Sequence, residues 1–184
     1  MGKIRIIGGE WRGRTLTVLD KPHLRPTPNR IRETLFNWLN WSIPSSHCLD
    51  LFAGTGALGL EAASRGAKSV YLVEHDAQLA TQLRQLLTQL NATQIKVIQQ
   101  NAFHFLNSPP EKPFNIVFLD PPFGHDYLVT CCQALSQAGW LSSGALIYLE
   151  AEQNLSELPL PAQWQWIKKQ RAGQVNYFLA RNGE

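Results

Sequence analysis

An aspartate, two prolines and a phenylalanine, Asp120 to Phe123, follow the apolar run NIVFL at residues 115–119. Pro121 and Pro122 fix the backbone and carry no N–H donor, so the strand that the apolar run predicts must end here. The Asp120 carboxylate and the Pro121 carbonyl can then accept hydrogen bonds from one exocyclic amino group. Phe123 can stack on a purine that has left its helix. The simpler alternative is a strand terminator that starts a turn.

Three glycines, Gly54, Gly56 and Gly59, have the spacing GxGxxG between the apolar run CLDLF and the helical segment ALGLEAA. Glycine lets the backbone approach a ligand closely, and the following helix offers unpaired N–H groups. The spacing therefore predicts a nucleotide-like cofactor at this loop. A tight strand-to-helix turn without a ligand is the alternative.

Two carboxylates accompany the glycine loop. Glu74 follows Gly56 by 18 residues and ends the next apolar run, SVYLVE, where it can accept both ribose hydroxyls of an adenosine group. Asp50 lies inside the first apolar run, and a buried carboxylate there needs loop amides or a cationic part of a ligand as its partner. NAD and S-adenosylmethionine both fit these features.

Short apolar runs alternate with helical segments from residue 47 onward. This alternation predicts βαβ units and a mostly parallel sheet covered by helices on both faces. The last two runs, WQWIKKQRAG and VNYFLARN, are strand-like and meet at Gly173, which predicts an antiparallel hairpin at one edge. At the start, KIRIIGGEWRGRTLTV predicts a small β-ribbon. A helix should follow it, with Thr27 as N-cap and Pro28 as its first residue.

The composition favours one globular domain. With 184 residues and 44% apolar content, we expect residues 46–184 to form the core domain and residues 1–45 to form an N-terminal extension. The three cysteines fit no disulfide framework, no apolar run is long enough to span a membrane, and no signal segment follows the first residue. We therefore expect a soluble, cytoplasmic protein. The histidines have no partners at ligand spacing, so we expect no metal site.

Basic residues are concentrated at the start of the chain. Residues 1–35 hold eight Lys or Arg and three Asp or Glu, a local charge of 8 − 3 = +5, so the remainder carries 3 − 5 = −2. Such segments bind polyanions through phosphate contacts that do not depend on base sequence. We therefore predict that four arginines contact RNA phosphates: Arg5, Arg12, Arg14 and Arg32. A solvated basic face is the alternative.

Taken together, the motifs resemble those of class I S-adenosylmethionine-dependent methyltransferases, with LDLFAGTG as the first motif, Glu74 as the second and DPPF as the fourth. More narrowly, RIIGGEWRGR and RPTPNRIRETLFNWL resemble the RsmD family, and the similarity extends over essentially the whole chain. That family methylates the exocyclic N2 of one guanine in bacterial 16S ribosomal RNA. The resemblance implies a three-layer Rossmann-like α/β fold with a mostly parallel seven-stranded sheet. It also implies S-adenosylmethionine as the cofactor. Separately, we expect a monomer.

The resemblance implies roles for single residues as well. Asp120, Pro121, Pro122 and Phe123 would hold the target base. The residues that would bind the cofactor are Arg25, Thr27, Asp50, Ala53, Gly54, Gly56, Glu74, Asn101 and Ala102. Among these, Glu74 would hold the ribose, while Arg25 and Thr27 would close over the methionine end; helix capping and surface charge are their alternative roles.

The chain departs from the family pattern at two asparagines. Asn101 stands where an aspartate usually binds the adenine amino group, and Asn29 replaces the aspartate that usually follows RPT. An asparagine keeps an acceptor oxygen but carries no charge.

The substrate that the resemblance implies is 16S ribosomal RNA, within the small ribosomal subunit or an assembly intermediate. An adenine-N6 methyltransferase is an alternative, because the same acceptors suit that amino group. A DNA enzyme of that type would usually carry a recognition insertion, for which this chain has no room. A non-enzymatic or NAD-binding module could share the fold as well.

Overall fold

Strands and helices follow one another in the order that the apolar runs predict. The computed structural model describes residues 2–19, 21, 27–122, 127–137, 139–152 and 159–183. Within these residues the strands are β1 (Gly2–Arg5), β2 (Thr15–Val18), β3 (His47–Asp50), β4 (Ser69–Glu74), β5 (Ile95–Gln99), β6 (Phe114–Leu119), β7 (Leu141–Glu152), β8 (Trp164–Ala172) and β9 (Val175–Asn182). The helices are α1 (Asn29–Trp38), α2 (Ala57–Ser64), α3 (Ala77–Leu90), α4 (Ala102–Phe105) and α5 (Tyr127–Leu135).

Seven strands form one sheet in the order β5-β4-β3-β6-β7-β9-β8. The five strands from β5 to β7 pair in parallel, whereas β9 pairs antiparallel with both β7 and β8. Gly173 lies in the turn of the final hairpin with φ at +61°, a left-handed conformation that glycine adopts without steric cost. The predicted mostly parallel sheet with an antiparallel edge hairpin is confirmed.

Helices cover both faces of this sheet. On β6, Ile116 and Phe118 pack into a cluster with α1, α2 and α3, while Val117 and Leu119 pack into a second cluster with α4 and α5. Parallel strands that are covered on both faces are apolar along their whole length, which explains the continuous apolar runs in the sequence. No helix in the described part of the chain is long and apolar enough to cross a membrane.

The N-terminal ribbon is fixed to the C-terminal end of α2. In the loop between β1 and β2, the backbone N–H groups of Ile7 and Gly8 donate to the Glu61 carboxylate at 2.9 and 2.7 Å. A Cβ on Gly9 would lie 1.8 Å from the Ser64 carbonyl oxygen, so only glycine permits this close approach. The predicted extension therefore packs against the core through its own backbone.

Helix α1 corrects one prediction. Its N-cap residue is Pro28, and no side chain caps it, so the expected Thr27 cap is wrong. The Thr27 hydroxyl instead donates to the Asp120 carboxylate at 3.3 Å. The apolar face of the helix is buried at Ile31 and Leu35.

Candidate active site

The strand order reverses between β3 and β6. From β3 the chain continues through β4 and β5 on one side of the sheet and then returns to β6 and β7 on the other side. In open α/β sheets, ligands bind in the crevice at the carboxyl ends of the strands at such a point. Asp50 ends β3, and Asp120 directly follows β6. The fold therefore brings the glycine loop and the DPPF segment to one crevice.

Four carboxylates lie on one face of the sheet at this crevice. They belong to Glu74 at the end of β4, Asp50 at the end of β3, Asp120 just after β6, and Glu150 in β7. The register pairs Asp50 with Phe118, and Phe118 with Tyr148. Because side chains alternate between the two faces of a strand, residues two positions beyond Phe118 and Tyr148 point to the same face as Asp50.

The glycine loop has a backbone that other residues adopt poorly. Gly54 and Gly56 have φ values of +53° and +78°. A Cβ on Gly56 would lie 2.6 Å from a Leu83 methyl carbon, and a Cβ on Gly59 would lie 2.2 Å from a Leu72 methyl carbon. The glycines are thus required for the turn and for packing of the helices. The same turn leaves the N-terminus of α2 at the crevice.

Glu74 is a buried and already oriented carboxylate, only 6% exposed. Its two oxygens accept hydrogen bonds from the backbone N–H groups of Gly54 and Asp76, both at 2.8 Å. His75 lies 3.2 Å from one of these oxygens. Each carboxylate oxygen has two lone-pair sites, so both can accept a further hydrogen bond from a diol.

Asp50 accepts a hydrogen bond from the backbone N–H of Gly59 at 3.0 Å and so braces the start of α2. Burial raises the pKa of Asp50 to about 7, although the Gly59 hydrogen bond acts in the opposite direction. The bracing role that the sequence left open is present. A cation beside Asp50 would offset the cost of burying its charge.

Asp120 lies at the edge of the crevice and is partly buried. Burial raises the pKa of its carboxyl group well above the ordinary value, and the neighbouring Glu150 and Asp50 carboxylates add to this effect. The Thr27 hydrogen bond acts in the opposite direction. Pro121 is buried and Pro122 is exposed, which is consistent with a chain that leaves the sheet at this point.

The chain on either side of residues 22–26 is attached to the crevice. Lys21 forms an ion pair of 2.5 Å with Asp76, the residue that caps the N-terminus of α3. Thr27 is attached to Asp120 on the other side. The roles predicted for Arg25 and Phe123 lie outside the described residues.

Asn101 caps the short helix α4. Its side-chain oxygen accepts hydrogen bonds from the backbone N–H groups of Phe103 and His104 at 2.9 and 3.4 Å. An aspartate could cap the helix in the same way, so the cap explains why either residue suits this position. Ala102 follows as a buried residue.

The predicted RNA contacts divide into two groups. The side chains of Arg5, Arg12 and Arg14 are exposed. Arg32 is only 1% exposed, so the prediction that it contacts phosphate is wrong. Its guanidinium donates to the Arg5 carbonyl at 2.8 Å and to the Asn29 side chain at 2.6 Å, and it lies 3.7 Å from the Glu61 carboxylate.

Three residues with structural or chemical importance were not predicted from sequence. They are Glu61, Tyr148 and Glu150, all of which are buried. Glu150 carries a signal that could have been used: like Asp120, it is an acid at the end of an apolar run, here ALIYLE. The described residues contain no group of three or more His, Cys, Asp or Glu side chains that could hold a metal ion.

Comparison with known proteins gives a consistent result over the whole chain. The family model described as "Conserved hypothetical protein 95" matches residues 4–181. Ribosomal RNA small subunit methyltransferase D of Escherichia coli K12 is 49% identical over 178 residues, which cover 97% of this chain and 89% of that protein. The protein of the same name from Haemophilus influenzae is 45% identical, with 98% and 95% coverage.

A solved structure is similar to the same extent. The structure of yhhF from Escherichia coli superimposes on this chain with a TM-score of 0.93 at 46% identity, and the match covers 99% of both chains. The chain therefore belongs to the RsmD family of methyltransferases, as the motifs of its sequence indicate.

Proposed function

We propose that this protein transfers a methyl group from S-adenosylmethionine to the exocyclic N2 of a guanine in 16S ribosomal RNA. The observation that supports this most is the shared crevice, where the Gly54–Gly59 loop and Glu74 lie on one side and Asp120 on the other. When bound, the cofactor supplies an electrophilic methyl group on a sulfonium. The remaining requirements are to hold it, to present an amine and to exclude water.

The residues of the first crossover fit this cofactor. The Glu74 carboxylate, held by the Gly54 and Asp76 amides, would accept the ribose hydroxyls. Asp50, with its pKa raised to about 7, would gain a partner in the cationic amino-acid part. The positive φ at Gly54 and Gly56 permits a close backbone approach that side chains would obstruct.

The remaining cofactor residues are less directly supported. Ala53 is buried directly before the glycine turn, and Asn101 with Ala102 begins α4 after the adjacent strand β5. We propose that these residues contact the adenosine part. Thr27 would act at the boundary between cofactor and base, because its hydroxyl already contacts Asp120.

The target amine would be held by Asp120 and the Pro121 carbonyl, and Phe123 would stack on the base. Two acceptors on one NH₂ group orient its nitrogen lone pair, and they stabilise the positive charge that develops as the new bond forms. Because the base must leave its stack to reach the crevice, single-stranded or looped RNA is the expected substrate form.

The choice of guanine N2 over adenine N6 rests on the family resemblance, while the names of the relatives support small-subunit ribosomal RNA as the substrate. The decisive experiment is methyl transfer to naked 16S RNA and to small subunits that lack the modification, followed by mass spectrometry of the nucleosides. We expect N2-methylguanine. N6-methyladenine would overturn the proposal in favour of the alternative.

The role of Asp120 is tested in the same assay. Asp120→Ala should abolish methyl transfer while binding of S-adenosylhomocysteine, measured by calorimetry, persists. Retained transfer by this variant would contradict the proposed role.

Titration with NAD in the same calorimeter tests the cofactor assignment, because a chain that binds NAD and not S-adenosylhomocysteine would be a different kind of module.

A further inference from the structure

Glu150 is a buried carboxylate beside the residue that is proposed to hold the target amine. Leu119 of β6 pairs with Leu149 of β7, so the next residues on these parallel strands, Asp120 and Glu150, are neighbours on one face of the sheet. Glu150 is 4% exposed.

The hydrogen bonds around Glu150 favour its ionised form. The Tyr148 hydroxyl donates to a Glu150 oxygen at 2.7 Å, and this bond lowers the pKa of Glu150. A hydrogen bond from Thr27 acts in the same direction, while burial raises the pKa overall. The same hydroxyl lies 3.3 Å from an Asp120 oxygen, and its single proton is donated to one of the two carboxyl groups at a time. One threonine hydroxyl therefore lies between the two carboxyl groups.

Among the residues that the structure describes, the groups that face this pair are acidic or neutral. They are Asp50 from β3, Tyr148 from β7, Thr27 before α1, and Tyr177 of β9, which the register pairs with Glu150. Among the described residues, no lysine, arginine or histidine forms an ion pair with Asp120 or Glu150. Two neighbouring carboxylates without a cation do not both ionise readily, so the pair retains a proton to a higher pH than a single carboxyl group would.

We infer that Glu150 is a positioning residue that keeps the Asp120 carboxyl group a strong enough proton acceptor to take the proton released by the methylated amine. The inference rests on the proposed function. As the amine nitrogen gains its bond to the methyl carbon, the carbon–sulfur bond breaks and its electron pair stays on sulfur. The nitrogen then carries a positive charge. Above the pH at which the pair has lost its shared proton, the nitrogen loses one of its two protons to Asp120, whose affinity for that proton the neighbouring Glu150 carboxylate raises.

The test compares Asp120 in the wild type and in Glu150→Gln. Glutamine keeps the shape and the oxygen that accepts the Tyr148 hydrogen bond, but it removes the charge. We expect the titration midpoint of the Asp120 carboxyl carbon, followed by ¹³C NMR in the free protein, to fall by about 1–3 pH units. The acid limb of the pH–rate profile for methyl transfer should move to lower pH in parallel.

Two further variants make the result specific. Glu111→Gln removes an acid from an exposed loop and should leave both the titration and the profile unchanged. Tyr148→Phe removes the hydrogen bond that lowers the pKa of Glu150, so Glu150 stays neutral to a higher pH. Tyr148→Phe should therefore also lower the titration midpoint of Asp120, as Glu150→Gln does.

The outcomes separate this inference from the proposed function. An Asp120 midpoint that is the same in the wild type and Glu150→Gln overturns the inference, whatever the activity. A shifted midpoint with unchanged pH–rate profiles overturns the part that assigns the proton to Asp120. A wild-type protein that forms no N2-methylguanine overturns the proposed function, while the NMR titration still reports on the pair.

Discussion

The backbone N–H of Gly54 donates to the Glu74 carboxylate at 2.8 Å, which links the glycine loop to the acid at the end of the adjacent strand. The loop and its acid therefore form one preorganised unit. Glu74→Gln would present an NH₂ group to one of the two backbone donors, Gly54 or Asp76, and would remove a charged acceptor from the proposed ribose site. We expect affinity for S-adenosylhomocysteine to fall by about 10- to 100-fold in calorimetry.

A matched control for this variant is Glu111→Gln, which lies in an exposed loop. It should bind S-adenosylhomocysteine like the wild type. Affinity of Glu74→Gln within about twofold of the wild type, roughly 0.4 kcal/mol, would contradict the ribose assignment.

Gly56 and Gly13 share a positive φ, at +78° and +83°, but differ in the space around them. A Cβ on Gly56 would contact a Leu83 methyl at 2.6 Å, whereas a Cβ on Gly13 would meet nothing within 4 Å. Gly13→Ala should therefore lower the unfolding free energy only by the cost of a side chain in the left-handed region, about 1–2 kcal/mol. Gly56→Ala should cost about 1–3 kcal/mol more, because it also overpacks the contact with α3. Urea unfolding of both variants measures the difference, and equal losses would refute the packing argument.

Glu61 connects the N-terminal ribbon to the core. Its fully buried carboxylate accepts hydrogen bonds from Ile7, Gly8 and Arg65 and lies 3.7 Å from the buried Arg32 guanidinium. Glu61→Ala would leave that guanidinium without its nearest anion, so we expect a loss of about 3–5 kcal/mol in unfolding free energy. Glu33→Ala, at an exposed position on α1, should change it by less than about 0.5 kcal/mol. Similar stability of the two variants would be evidence against this role.

Asp50 should give the stability a particular pH dependence. Burial raises its pKa to about 7 from the ordinary value of 3.8, so the folded protein binds this proton more tightly than the unfolded chain does. The stability contributed by this proton is fully present below the unfolded pKa and is lost as pH rises through about 7. Asp50→Asn should therefore make unfolding free energy fall less over this range, as measured by urea unfolding at several pH values.

Asp76 provides the opposite case. The hydrogen bond from Lys21 lowers the pKa of Asp76, so its contribution is present above the unfolded pKa and is lost as the solution is acidified through the folded pKa. Asp76→Asn should therefore lower the unfolding free energy at neutral pH, and its unfolding free energy should fall less on acidification than that of the wild type, as measured by urea unfolding. If Asp50→Asn and Asp76→Asn change the dependence of unfolding free energy on pH in the same way, the opposite roles of the two aspartates are contradicted.

The sequence was sufficient to predict the elements that depend on local periodicity and turn chemistry. The strand run that ends at Asp120, the glycine loop before α2 and the hairpin at Gly173 all follow from patterns within a few residues. The RsmD resemblance added the family. What these patterns cannot contain is the register between distant strands, which makes Glu150 a neighbour of Asp120.

Arg32 shows the second limit. A count of charge treats each arginine as exposed, because most are. Arg32 lies on the buried face of α1, where Glu61 from α2 and the Arg5 carbonyl satisfy part of its guanidinium. Thr27 is similar, since its hydroxyl binds an acid 93 residues away rather than the adjacent helix. For both Arg32 and Thr27, a partner from a distant part of the chain determines the role of the side chain, and the local sequence does not show that partner.

The exposed arginines of the N-terminal loop remain the predicted phosphate contacts. The loop packs at the C-terminal end of α2, and the crevice lies at the other end of this eight-residue helix, about 12 Å away. A bound RNA would have to extend beyond the target nucleotide to reach Arg12 and Arg14. Arg12→Ala and Arg14→Ala should each reduce the slope of log affinity against log salt by about 0.7–0.9, without changing cofactor affinity.

The control for this prediction is Arg84→Ala, which removes one exposed positive charge from α3. If the N-terminal loop contacts phosphate, Arg84→Ala leaves the salt slope close to that of the wild type while Arg12→Ala and Arg14→Ala lower it. Equal slopes for all three variants would mean that only the net charge matters. Arg32→Ala cannot serve in this comparison, because removal of a buried guanidinium beside Glu61 changes the stability of the fold itself.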